Sequence, residues 1–481
     1  MLNGADVTSL SSAPIYVKNA EKTVISLADG TVNSVTDGDS YVFEDPASDE
    51  PNAAIFSHDD LSINGDGALT VTGNYNDGIT SKDDLKITAG NVTVRAVNDG
   101  IEGRDSIAVL DGTITVNAGG DGLQSNNDED PEEGYIVIEG DTLDITAGGD
   151  GMQAETNLLV SGGDITIVSG RGSNSAVSVD STKGLKAGVD ITVNGGTINI
   201  DATDDAVHSN DSITINGGDL LLASSDDGMH ADATLTINGG NVNIATCYEG
   251  LESAAITIND GTIHIVASDD GINVVSASGG GTMMSGGPME SILAGYYLEI
   301  NGGYLYVDAG GDGLDSNGTG TLNDGLVIVN GPTNNGNGSL DVGGNLVVNG
   351  GFLVAVGSAG MAQSPSAAST QYSALIDMQG TLQAGSIVHI ESEDGEEILT
   401  FASAKAYQTV VISSPEMENG ATYLVYAGGQ ATGTITDGLY TDGTYSAGTQ
   451  VSSFTIASIV TGESTGMGGP GGMGDGRSTR P

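Results

Sequence analysis

Ten residues recur at one place in a repeating pattern, and nine of them are carboxylates: Asp77, Asp99, Asp121, Asp150, Asp205, Asp227, Glu249, Asp270 and Asp312, with Lys183 as the exception. Each precedes a glycine except Asp205, which precedes Ala206. Three coils double the charge, as Asp204-Asp205, Asp226-Asp227 and Asp269-Asp270. If successive repeats stack as parallel strands, these carboxylates form a ladder of like charges about 4.8 Å apart, which destabilises a fold unless something neutralises it. Hard cations with oxygen ligands do so, and Ca2+ suits a flexible set of carboxylates and carbonyls. The competing reading is turn chemistry, because Asp-Gly is a turn former. Two features weigh against turns alone. Asn makes such turns equally well but never takes this position, and Glu249 is a poor turn residue that keeps the carboxylate. Lys183 fits as a built-in ammonium standing where its coil lacks a cation.

A second polar column lies two residues after the glycine: Thr80, Glu102, Gln124, Gln153, Lys186, His208, His230, Glu252, Asn273 and Asp315. Its uniform polarity predicts a solvent-facing surface. His208 and His230 are expected to be neighbours on adjacent coils, although two His without a third ligand are a weak zinc signal. Lys82 and Arg104 are predicted to stack, and Lys183 and Lys186 to lie close together in one coil. In so acidic a chain Lys82, Arg104, Lys183, Lys186, His208 and His230 are the candidates for contacting an anionic ligand. Neutralisation of nearby carboxylates explains them equally well.

The element that must position these residues is a coil of about 22 residues. The acidic positions advance by 22 residues, once by 21, with longer steps of 29, 33 and 42 across insertions near 127–133, 169–180 and 276–294. Within a coil the apolar residues alternate, as in Ile213, Ile215, Gly217-Gly218, Leu220 and Leu222. A third apolar column follows each acidic pair: Ile79, Ile101, Leu123, Met152, Leu185, Val207, Met229, Leu251, Ile272 and Leu314. Stacked apolar columns fill the inside of a tube, and a propeller blade needs about 40 residues or more. The fold predicted is an all-β parallel β-helix over 1–365. The period is lost over 366–463, which reads as a C-terminal β cap or small β domain, and 464–481 is a low-complexity Gly/Met-rich tail.

Composition bounds the partners. The chain has 481 residues, 65 Asp plus Glu against 12 Lys plus Arg, and a formal charge of −53. Nucleic acid and anionic membranes need basic patches and are excluded as partners. The single cysteine, Cys247, allows neither an internal disulfide nor a Cys-based zinc site. No apolar run approaches the 18 residues of a membrane span. The first residues, MLNGADVTSL, carry no basic and apolar leader, and a solenoid that starts so abruptly leaves an open edge. The expectation is a truncated N-terminus.

The segments PNAAIFSHDDLSINGDGALTV, YNDGITSKDDLKITAG, AGGDGLQSNNDED, DDAVHSNDSITINGG, DDGMHADATLTINGG and AGGDGLDSNGTG, with NGPTNNGNGSLDV further along, resemble a family of secreted bacterial, largely clostridial, carbohydrate-binding domain-containing proteins. The resemblance covers nearly the whole chain. It implies a right-handed parallel β-helix similar to that of calcium-dependent pectate lyases, an exported protein of the extracellular space or cell surface, and several Ca2+ ions along the helix. It also implies binding of plant cell-wall polysaccharide, including cellulose and acidic pectic chains. Three functions follow. The first is a non-catalytic, calcium-loaded binding protein. With no Trp and 4% aromatic residues, a flat platform for cellulose is poorly supplied, so a pectin-like anionic ligand is favoured. The second is a pectate lyase with Lys183 as base and Lys186 or Arg104 stabilising the anion, although no basic cluster lines a groove. The third is an adhesive surface solenoid capable of end-to-end self-assembly. In the first, the metal ligands would come from Asp77, Asp99, Asp121, Asp150, Asp204, Asp205, Asp226, Asp227, Glu249, Asp269, Asp270 and Asp312.

Overall fold

The structure is a computed structural model that describes residues 1–464 except 44, 46, 141, 178–180, 276–294 and 447. The insertion at 276–294 and the tail beyond 464 lie outside the described residues, as does part of the insertion at 169–180. Every named element among the described residues is a β-strand. No helix among them is long and apolar enough to cross a membrane. The chain divides into two compact units, Met1–Asp232 with Gly240–Val242, and Ala233–Gly239 with Asn243–Pro481.

In the first unit, the strands Ala68–Gly73, Asn91–Ala96, Thr113–Ala118, Thr142–Ala147, Asp164–Ser169, Thr197–Ala202 and Asp219–Ser224 pair in parallel in chain order. Register places Val71, Val94, Val116, Ile145, Ile167, Ile200 and Leu222 in one column. A second sheet stacks the short strands that follow each acidic residue, aligning Ile79, Ile101, Leu123, Met152, Leu185, Val207 and Met229. Leu85, Ile107, Ile136, Leu158, Ile191 and Ile213 make a third column. All of these side chains are buried. Burying each large aliphatic contributes roughly 1.5–3 kcal/mol, so register is fixed by the core: a one-residue slip would turn a whole column outward.

In the second unit Thr262–Ala267, Tyr304–Ala309, Leu326–Asn330 and Phe352–Gly357 continue the parallel pattern among themselves. Beyond Phe352–Gly357 pairing turns antiparallel, first with Tyr407–Ser413, which also pairs with Ser373–Leu382. A separate antiparallel sheet contains Ile387–Ser392, Glu397–Ala402, Thr422–Ala427 and Thr449–Thr455. Val354 and Val356 share one buried core with Ile376, Phe401, Val410 and Ile412.

The two kinds of glycine do different work. Gly196 and Gly218, at the turn of the Asn-Gly-Gly motifs, adopt left-handed φ of 99° and 105°, which glycine alone takes up readily. The glycines after the acidic column are not left-handed. A β-carbon at Gly100 would run into Val116 Cγ1 and lie 2.7 Å from Gly122 O; Gly122 and Gly151 are equally confined. Those glycines let the backbone pass close to the aliphatic column, so the Asp-Gly pair serves packing as well as carrying the carboxylate. Gly100→Val is expected to destabilise by about 1–3 kcal/mol, the usual range for overpacking. Chemical denaturation of wild type and variant measures it, and equal midpoints and slopes would contradict the packing role.

Candidate functional site

The acidic residues open or directly precede the short strands, and the carboxylates of several point along the stack. Asp77 Oδ1 accepts the Asp99 amide at 3.1 Å, Asp99 Oδ1 the Asp121 amide at 2.7 Å, Asp121 Oδ1 the Asp150 amide at 2.7 Å, and Asp150 Oδ1 the Lys183 amide at 2.7 Å. The column is therefore a ladder in which one coil's carboxylate accepts the next coil's backbone N–H. Lys183 cannot accept. In the coil that follows, the neighbouring carboxylate takes over: Asp204 Oδ1 accepts the Asp205 amide at 3.1 Å. Asp205 Oδ1 then resumes the ladder to Asp227 at 3.0 Å. In the second unit Asp270 Oδ1 accepts the Asp312 amide at 2.6 Å.

The second oxygens are also engaged in the first unit. Asn52 donates to Asp77, Asn98 to Asp99 and Gln124 to Asp121. Lys186 Nζ lies 3.0 Å from Asp150 Oδ2, and Lys183 Nζ lies 2.7 Å from Asp204 Oδ2 and 3.0 Å from Asp205 Oδ2. Burial would push the Lys183 ammonium down, but Asp205 and Asp204 outweigh it and hold it well above the ordinary lysine range. Lys183 is thus held as a cation by Asp204 and Asp205. Lys82 lies 3.7 Å from Glu50 and 3.5 Å from Glu102, and Arg104 lies 2.7 Å from Glu129 and 3.8 Å from Asp105. The six candidate anion contacts form no single basic surface: each of the four Lys and Arg side chains is committed to carboxylates.

His208 and His230 are register partners, with ring centroids 4.9 Å apart. His208 Nδ1 lies 2.8 Å and His230 Nδ1 3.9 Å from Asp205 Oδ2. Burial would raise the Asp205 carboxyl, but Lys183, His208 and His230 bring it far below the usual range. The second column is not the solvent face expected of it. Thr80, Glu102, Glu252 and Asn273 are buried. Their polar atoms are covered by neighbouring coils; for example, Thr80 Oγ1 donates to Glu102 Oε2 at 3.3 Å and Asn126 Nδ2 to Glu102 Oε1 at 3.2 Å.

Away from Lys183 and Lys186 the charge problem stays, although Lys82 offsets part of it at Asp77. Burial, then Glu102, pushes the Asp77 carboxyl up to about 6, and burial pushes Asp99 up to about 7 despite the Asp121 amide. In the second unit burial, then Asp312, pushes Asp270 up to about 8, and burial pushes Asp312 up to about 7. Asp315 is held well above the usual range by burial, then by Asp270, Asp312 and Asp341. Asp270, Asp312 and Asp315 each present a carboxylate oxygen within 4.8 Å of the others. None of the main influences on these three carboxyls comes from a cationic side chain. Asp315 and Asp341 are register partners. Neither was singled out as a ligand from sequence, although an acidic residue three positions after Asp312 was a readable signal.

Residues 1–228 and 224–271 match the family described as carbohydrate-binding domain-containing protein. A protein of that description from Acetivibrio thermocellus is 52% identical over 170 residues, which is 35% of this chain and 59% of that relative. The chain thus spans less than two thirds of that relative's length. A solved structure, the gadolinium derivative of the polysaccharide lyase-like protein from C. thermocellum, is 35% identical, covers 49% of this chain and 73% of that chain, and superposes with a TM-score of 0.33.

A carboxyl whose pKa is raised on folding binds protons more tightly in the native state than in the unfolded chain, so stability falls as pH rises past it. With divalent ions chelated, the thermal midpoint is expected to climb as pH is lowered through the folded values of about 8 for Asp270, about 7 for Asp99 and Asp312 and about 6 for Asp77. Calorimetric scans across that range check it. A midpoint that falls steadily over the same interval would contradict a ladder strained by buried like charge.

Proposed function

The chain belongs to the family of carbohydrate-binding domain-containing proteins, and from that membership we propose that it is a non-catalytic, calcium-loaded binding protein for acidic plant cell-wall polysaccharide. A right-handed solenoid of 22-residue coils closed by a C-terminal β cap, acting outside the cell or at its surface, completes the reading. The observation that carries it is the Asp270, Asp312 and Asp315 cluster, three carboxylates within 4.8 Å and pushed up in pKa by burial and by one another. Carboxylate oxygens are the donors Ca2+ prefers, and Asp269 and Asp341 add charge beside them. A bound Ca2+ supplies positive charge and coordination positions that protein oxygens leave to solvent or ligand. Uronate carboxylates are ligands of the same hard-oxygen class. The Asp77 and Asp99 part of the ladder supports the same reading, with weaker charge crowding.

Two features favour binding over lyase chemistry. Lys183 is held protonated by Asp204 and Asp205, and Lys186 and Arg104 are each spent on a carboxylate. The absence of Trp favours an anionic chain over a flat neutral one. Affinity electrophoresis through polygalacturonate tests the proposal. Retardation is expected with Ca2+, with loss in EGTA and at least a tenfold weakening in Asp312→Asn. Equal retardation in EGTA would sink calcium bridging, and release of ultraviolet-absorbing unsaturated products would restore the lyase reading.

A further inference from the structure

His208 and His230 are not explained by the acidic ladder, which needs only a carboxylate at its own position. They stand at directly paired positions on the parallel strands Val207–Ser209 and Met229–Ile237, so the sheet itself holds the two imidazoles one rung apart. Both point Nδ1 at the carboxylates of their own coils. His208 Nδ1 lies 2.8 Å from Asp205 Oδ2, and His230 Nδ1 lies 3.4 Å from Asp227 Oδ2 and 3.9 Å from Asp205 Oδ2. The donor atoms of Asp205, His208 and His230 all fall within 4.8 Å of one another. An ion bound tetrahedrally at about 2.0–2.1 Å spaces its ligands roughly 3.3 Å apart, and the 2.8 and 3.9 Å from Asp205 Oδ2 to the two imidazoles bracket that spacing. The imidazoles are 14% and 15% exposed and the two carboxylates 4% and 3%, so the cluster is held firmly from below and reachable from one side.

We propose that Asp205, His208 and His230, with solvent or a ligand in the fourth position, form a site for a late first-row divalent ion such as Zn2+, separate in chemistry from the carboxylate-only positions of the column. Two neutral nitrogens among the donors disfavour Ca2+, which takes oxygen, and favour the Zn2+, Ni2+ and Cu2+ group. The structure also fixes what must move. Lys183 Nζ shares Asp205 Oδ2 at 3.0 Å and holds Asp204 Oδ2 at 2.7 Å, so metal entry leaves the ammonium on Asp204 alone. His208 Nε2 lies 3.1 Å from Asn210 Oδ1 and His230 Nε2 3.5 Å from Asp232 Oδ1. His208 Nδ1 faces the Asp205 carboxylate, an acceptor only, so an ion entering there takes the place of the proton between them.

The experiment is calorimetric titration of Zn2+ into the full chain in millimolar Ca2+, which saturates oxygen-only sites. One strong Zn2+ equivalent is expected, weakened at least tenfold in His208→Ala and in His230→Ala, and abolished in the double variant. Unaltered Zn2+ affinity in the double variant, or no saturable binding to wild type, overturns the site. Should the variants unfold, Co2+ added to wild type decides alone. Intense visible absorption, displaced by Zn2+, marks a tetrahedral nitrogen-oxygen site, and the faint colour of an octahedral aquo ion rejects it.

Discussion

The hydrogen bond from one coil's backbone amide to the preceding coil's acidic side chain is the constraint on which the rest of the structure rests. It repeats from Asp77 to Asp99, Asp121, Asp150 and Lys183. It satisfies a buried N–H that no regular strand pairing reaches, and leaving such a group unpaired costs about 1–3 kcal/mol. The same bond forces carboxylates into a buried line at coil spacing. Backbone satisfaction and charge repulsion therefore come as one package. The glycine that follows most of these acids belongs to the same package, because a β-carbon at Gly100, Gly122 or Gly151 would run into the aliphatic column.

The chain relieves the repulsion in two chemically distinct ways. Around Asp150, Asp204 and Asp205 it uses its own lysines, Lys186 and Lys183, and it changes the local pattern to do so. Lys183 takes a ladder position at the loss of an acceptor, and the doublet Asp204-Asp205 restores one. Around Asp270, Asp312 and Asp315 no comparable cation acts among the described residues, and the carboxyls respond by rising in pKa. An amide-accepting role alone would be met by Asn as well as by Asp. Retention of the charge through eight Asp and one Glu in ten coils is the feature that a purely structural ladder leaves unexplained, and it is the reason external cations are proposed.

Much of this was legible in the sequence because stacking converts a linear period into a spatial column. The acidic positions, the column from Ile79 to Met229 and the pairing of His208 with His230 follow from the spacing alone. What was not legible depends on side-chain reach. The amide-accepting role of the Asp oxygens, and the choice of Asp204 and Asp205 by Lys183, are set by rotamers that spacing does not encode. Polar composition suggested an exposed second column, yet Glu102 and Glu252 are buried because neighbouring coils cover them. The closeness of the Asp315 carboxylate to Asp270 and Asp312 likewise depends on how the side chains reach between columns. The Asp-Gly pairs of the acidic column are not the left-handed turns, which fall at other glycines such as Gly196, Gly218 and Gly261.

The most direct measurement is thermal unfolding of the full chain in EGTA and again with millimolar Ca2+ restored, using Mg2+ as the control ion. The account predicts a large rise in midpoint with Ca2+, since a native-state ligand at 100 times its dissociation constant adds about 2.7 kcal/mol per independent site. Coincident curves in EGTA and Ca2+ would contradict it, and would leave the acidic column as a backbone hydrogen-bond ladder alone.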